Sequence, residues 1–236
     1  MSRPIGRRNA DYELARTRLL ERLQPALLRP GGAELSFSEM AEAAGVSAAT
    51  LRHYFRSRDQ LLTAVLEALH SAGLPFLHSA ATLPIEGVRA SLEWLLLQVA
   101  QGWRFGVGAI HALGLSAGLG HQQLGPSYVG EILEPTLQAA EARLARHVAT
   151  GELEHCDLRH AALELLSPLV LGLLHQDNLL GVRCRPLDLD RFLTDHLERF
   201  LRAYSRGDPA AHHTAAEAGA AASGRHQEPL KSGASG

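Results

Sequence analysis

The stretch FSEMAEAAGVSAATLRHYFRSRDQLL, residues 37–62, decides how this chain folds. Ser36 stands three residues ahead of Glu39, the spacing of a capping box in which hydroxyl and carboxylate each bind the other residue's backbone amide. A short helix over 37–44 follows. Gly45 supplies the positive φ that stops it, Val46 plugs the corner, and Ser47 caps a second short helix from 48 to about 55. Leu51 and Phe55, four residues apart, face Met40, Ala41 and Val46 as a miniature core and leave Ala49, Arg52 and His53 pointing outward. Neither helix is long enough to be stable alone. Together they form a helix, tight turn, helix unit.

Outward from this unit the pattern stays helical. Upstream, Asn9 with Asp11 and Glu13 reads as a capped start, and Ala15, Leu19, Leu23 and Leu27 recur at helical spacing. Pro25 predicts a kink, and Pro30, Gly31 and Gly32 end this helix. Downstream, Ser57 caps a long fourth helix bearing Leu61, Leu62, Val65, Leu66 and Leu69 on one side. Pro84 starts a fifth, a Gly-rich sixth covers about 106–115, and 116–125 is a loop. Pro126 opens a seventh, an eighth over 158–180 is apolar almost all round, and a ninth over 189–204 follows the Asp188 cap. Beyond 206 the chain turns to Ala, Gly, Ser, His and Pro with no periodic apolar face, which predicts a disordered low-complexity tail over 207–236.

Composition agrees with an all-α chain. Hydrophobic residues make up 46% and charged ones 20%, enough to build a sizeable core. Leu and Ala dominate over β-branched residues, which favours helices. The N-terminal arginines have no apolar run behind them, unlike a secretory signal. The stretch 161–174 is interrupted by Glu164, Ser167 and Pro168 and is too short to span a bilayer, so a cytoplasmic protein is expected. Cys156 and Cys184 are then reduced thiols. Residues 1–60 hold ten arginines against seven acids, whereas 61–206 hold eleven against fifteen, so an anionic partner would dock at the front of the chain.

A helix, Gly-containing turn, helix unit can lay its second helix in the DNA major groove. Small side chains at Ala48 and Ala49 allow close approach, Thr50 can hydrogen-bond, and Arg52 can grip guanine O6 and N7 with both guanidinium donors. His53 shares the outward face, and Ser36, Ser38, Ser47, Tyr54, Arg56 and Arg58 flank it where phosphates would lie. Arg3, Arg7 and Arg8, on an unstructured arm, could reach a neighbouring minor groove or backbone. The bland alternative for the alanines and Arg52 is an ordinary solvated helix face.

At these residues the chain resembles the TetR family of transcriptional regulators: a helix ending in Ala-Gly-Val-Ser, then Thr-Leu, an aromatic pair, and a basic residue before the fourth helix. The likeness is detailed over about 15–66 and extends in outline to about 206; Pro25, and Arg52 where the family usually has tyrosine, depart from it. The resemblance implies about nine helices, with a basic arm and helix-turn-helix DNA-binding domain over 1–56 and a helical ligand-binding and dimerisation domain over 57–206. It also implies a homodimer through about 158–206, a near-palindromic operator, and repression relieved by a small-molecule effector held among the fourth to eighth helices. The all-round apolar eighth helix argues independently for a partner surface. Candidate effector contacts are Trp94, Trp103, Phe105, His111, Leu115 and His175, which mix apolar walls with polar handles.

Two rival readings are an activator of the same fold and a helical di-metal carboxylate enzyme. The latter would use the Glu-x-x-His pairs Glu67 with His70 and Glu152 with His155. His155, Cys156, Asp157 and His160 match no standard zinc spacing, and Asp157 is more simply a helix cap. No phosphate loop, nucleophile elbow or catalytic triad is evident, so no catalytic residue, metal or cofactor is expected.

Overall fold

The computed structural model of the chain describes residues 5–205, with side chains from residue 10 onward. Ten α-helices follow one another, with no named strand among the described residues: α1 Ile5–Leu27, α2 Phe37–Ala43, α3 Ala48–Tyr54, α4 Arg58–Thr82, α5 Val88–Gly102, α6 Gly108–Gly118, α7 Leu124–Tyr128, α8 Glu134–Ala149, α9 Leu158–Leu173 and α10 Leu189–Tyr204. A wider helical turn over Val129–Leu133 makes α7 and α8 continuous.

Local chemistry sets most boundaries. Ser36, Ser47, Ser57, Asp157 and Asp188 each accept the amide three residues on, and Ser36 with Glu39 completes the capping box. Gly45, at φ 69°, turns the chain between α2 and α3 where a Cβ would be strained. The starts of α1 and α5 differ from expectation. The first helix begins at Ile5 rather than at an Asn9 cap, so Arg7 and Arg8 belong to α1 and not to an unstructured arm. α1 runs on through Pro25, which lies in its last turn. The fifth helix begins after Gly87, not at Pro84. Arg3 and the tail over 207–236 lie outside the described residues.

Burial separates two apolar clusters. The first contains Leu19, Leu23 and Leu27 of α1, Met40 and Ala41 of α2, Leu51 of α3, Phe55, and Leu61, Leu62 and Val65 of α4. Leu113 of α6 and Leu124 of α7 complete it. The second joins α5, α8, α9 and α10 around residues such as Leu96, Leu144, Leu165 and Phe200, with Ala80 from the far end of α4. By length and composition α4 could cross a bilayer. Here its apolar residues serve both clusters, as in a core helix.

The far end of α4 is fastened by arginines. Arg143 of α8 is fully buried and donates to the carbonyls of Ala80 (2.5 Å) and Ser79 (3.1 Å) and to Ser91 Oγ (2.7 Å), with its guanidinium 4.7 Å from the Trp94 ring centroid. Arg146 donates to the carbonyls of Thr82 and Leu83. These cations meet the negative end of the α4 dipole. Burial, with Arg146 close by, lowers the Arg143 pKa to about 10, so the guanidinium stays charged at neutral pH.

Candidate nucleic-acid interface and effector cavity

The helix-turn-helix packs as its spacing implied. Leu51 and Phe55 are buried against Met40 and Ala41. Ala49, Thr50, Arg52 and His53 form an exposed row on α3, with Ala48 half-buried beside them. Ser36 and Ser38 are exposed at the start of α2, and the hydrogen bond from Ser36 holds the Glu39 carboxyl below the usual range. Three side chains are engaged in ways the spacing did not disclose. Thr50 Oγ1 shares a 2.9 Å hydrogen bond with Ser47 Oγ. The Arg52 guanidinium lies 5.3 Å from the Phe37 ring centroid. Tyr54 stacks on Tyr12 of α1 at 4.9 Å, with His53 edge-on to both.

Tyr12 therefore joins the flank of α3 to α1. Sequence reasoning missed it, since nothing local links positions 12 and 54.

Arg58 needs a correction. It is half-buried and donates from Nε to the Leu35 carbonyl (3.0 Å) and from Nη2 to the Ala33 carbonyl. Those bonds tie the start of α4 to the segment before α2, so its main work is structural rather than that of a free phosphate contact. Arg56 is exposed and makes no hydrogen bond or ion pair among the described residues, which leaves it the available cation at this corner.

A cavity of about 390 Å³ lies among α4, α5, α6, α8 and α9. Trp103, His111 and Leu115 line it, as does Tyr128. The Trp103 and His111 rings stack at 4.7 Å, and His111 Nδ1 is 2.6 Å from Tyr128 Oη. Burial pushes His111 down to about 4 and raises Tyr128, so both are neutral at pH 7. Trp94, Phe105 and His175 do not line the cavity. Trp94 packs on Arg143. Phe105 is 89% exposed because Gly106, at φ 118°, swings the backbone outward between α5 and α6. His175 bonds to Gln176 and packs against Gly181.

His111 and Leu113, both on α6, face opposite ways. Two residues subtend about 200° on a helix, which puts His111 and Leu115 on the cavity side and Leu113 and Ala117 against the core beneath the helix-turn-helix. One helix thus lines the cavity and packs into the core beneath the helix-turn-helix.

Among the described residues no group of three or more His, Cys, Asp or Glu side chains is placed to hold a metal. Two of the Glu-x-x-His residues have other partners: His70 bonds Glu131 at 2.8 Å, and Glu152 takes His147 and the Val88 amide. Asp157 caps α9.

Comparison with known proteins agrees with this geometry. Residues 27–65 match the family model described as bacterial regulatory proteins, tetR family. No curated protein matches. Among solved structures, a Mesorhizobium loti protein assigned to the TetR family of transcriptional regulators shares 19% identity at a TM-score of 0.67, covering 83% of this chain and 98% of that one. FadR from Bacillus subtilis, in complex with stearoyl-CoA, shares 15% at 0.60, covering 78% and 97%. SmeT, the repressor of a Stenotrophomonas maltophilia multidrug efflux pump, shares 18% at 0.57, covering 92% and 97%. The first two are described as transcriptional regulators and the third as a repressor. Residues 27–65 thus match the tetR-family model, and the chain has the fold seen in solved TetR-family regulators.

Proposed function

We propose that this protein is a dimeric, ligand-responsive repressor that binds a near-palindromic operator and lets go when a small molecule fills the 390 Å³ cavity. The observation that carries this reading is α6, with His111 and Leu115 on the cavity wall and Leu113 and Ala117 in the core beneath the helix-turn-helix. A ligand that fits only one setting of α6 biases the head toward one position, and it acts solely through its differential affinity for the two settings. The neighbours support the assignment by what they are: SmeT is a repressor, and FadR was solved with an acyl-CoA.

In this proposal the exposed α3 row of Ala49, Thr50, Arg52 and His53, with Ala48 beside it, reads base edges. Ser36, Ser38, Ser47, Tyr54 and Arg56 hold the backbone, with Arg7 and Arg8 of α1 nearby in sequence. Residues 1–56 form the DNA-binding unit and 57–206 the remainder, and the protein acts in the cytoplasm.

The dimer would form through α9 and α10. Leu163, Ser167 and Leu171, at four-residue spacing, form an uncovered stripe on α9, with Leu171 66% exposed. The outward positions of α10 are mostly charged, Asp190, Arg191, Asp195, Arg199 and Arg202, so α9 supplies the apolar share. Two copies would present two α3 helices to successive half-sites.

Selection of bound fragments from random duplex DNA tests the proposal, followed by a reporter assay on the recovered sequence. A two-fold-symmetric site and rising expression on deletion of the protein are expected. Expression that falls on deletion would make it an activator, and failure to enrich any sequence would end the reading.

A further inference from the structure

The cavity also carries information about what fills it, on the reading that it is the effector site. Its lining contains no Asp, Glu, Lys or Arg. The polar residues are Gln98, Thr136 and Ser167, together with His111 and Tyr128. The open side is apolar too: Phe76 and Val107 are exposed wall residues, and Leu163 and Leu171 are wall residues shared with the proposed dimer stripe. A carboxylate, phosphate or ammonium brought inside would lose its water and meet no opposite charge, which opposes its binding.

The His111 and Tyr128 pair adds one polar handle. Their 2.6 Å hydrogen bond uses one proton, and His111 Nε2 makes no hydrogen bond yet is not sealed in by protein atoms. If Tyr128 donates to Nδ1, the free groups are an Nε2–H donor and a phenol lone pair. If Nδ1–H donates instead, they are the phenol O–H and an Nε2 lone pair. Either way the pair offers one donor and one acceptor, and it can serve a hydroxyl or a carbonyl by moving a proton. Because burial keeps His111 unprotonated at neutral pH, the ring supplies no cation to an acid.

We infer that the effector is an uncharged, largely apolar molecule bearing a hydroxyl or carbonyl that hydrogen-bonds to the His111 and Tyr128 pair. That sets it apart from the charged acyl-CoA held by the Bacillus subtilis neighbour.

Isothermal calorimetry at pH 7 on the full chain, with four probes of one shape, tests this: 4-phenylphenol, biphenyl, biphenyl-4-carboxylate and biphenyl-4-ylmethylammonium. 4-Phenylphenol should bind at least tenfold tighter than either ion and tighter than biphenyl. Tyr128→Phe should shrink the advantage over biphenyl, and Thr136→Trp, which fills the cavity from a half-buried wall, should abolish binding while the helical circular dichroism is retained. Equal or tighter binding of either ion overturns the inference, as does no binding by the wild type or unchanged binding by Thr136→Trp. Operator release is scored separately by mobility shift. 4-Phenylphenol that binds without loosening the DNA leaves the ligand class standing and refutes the repressor reading instead.

Discussion

Three arginines within seven residues, Arg52, Arg56 and Arg58, should separate cleanly when each is changed to alanine, because the structure gives them three environments. Arg52 is exposed on α3 and rests on the Phe37 ring. Its removal forfeits about 0.5–1 kcal/mol of exposed cation–π contact. If it also reads a base pair, the larger loss falls on the specific duplex, about 1–3 kcal/mol per half-site, or roughly 5- to 150-fold. Arg56, exposed and unpaired, should behave as one phosphate contact: a similar loss on every duplex, and a slope of log K against log salt shallower by about one per half-site. Arg58→Ala leaves the Leu35 and Ala33 carbonyls without their donor, so it should lower unfolding stability by about 1–3 kcal/mol. Fluorescence anisotropy on the selected operator and on a scrambled duplex, at several salt concentrations, reads the first two. Urea unfolding followed at 222 nm reads the third. Equal losses for Arg52→Ala on both duplexes, or an Arg58→Ala protein of wild-type stability with a shallower salt slope, would show that the division of roles is wrong.

Other expectations follow from the same coordinates. Arg143→Met removes the donors to the end of α4, so a loss of about 2–4 kcal/mol is expected in urea unfolding; a change below about 0.5 kcal/mol would mean the staple is unimportant. His111 has its pKa lowered by burial to about 4, so the folded state resists a proton that the unfolded chain accepts. Its stability contribution is complete above about pH 6.5 and declines as pH falls toward 4, by about 2 kcal/mol at pH 5. A His111→Phe variant should show a flatter fall over this range, and parallel curves would contradict the assignment. Leu171→Glu, at an exposed α9 position, should turn a sedimenting dimer into monomer with unchanged helix content, whereas an intact dimer would place the interface elsewhere.

How much of this could be read from the sequence depended on the range over which each feature is encoded. Caps such as Ser36, Ser47 and Asp188 act over three residues, so spacing was enough to find them. The start of the fifth helix was misjudged because Pro84 is a generic helix opener, while the actual boundary follows Gly87 at φ 78°. Trp103, His111 and Leu115 lie on the cavity wall, but Trp94, Phe105 and His175 were chosen on residue type and do not. Residue type says nothing of rotational phase on a helix, and the Gly106 bulge reset that phase for Phe105. Arg58 looked like its neighbours in a basic run; only the folded segment before α2 shows which carbonyls it satisfies. Tyr12 was invisible for the same reason, since its partner is more than forty residues away.

The presence of Leu113 and Leu124 among the buried residues beneath the helix-turn-helix also bears on modularity. A chimera that exchanged only the first third of the chain for that of a relative, in order to retarget it to another promoter, would set foreign side chains against two leucines shaped for the original. Domain shuffling in this lineage would then have to carry those two positions along, or recover the fit by compensating changes. Grafts that include residues 113 and 124 should express and fold where simple head swaps aggregate.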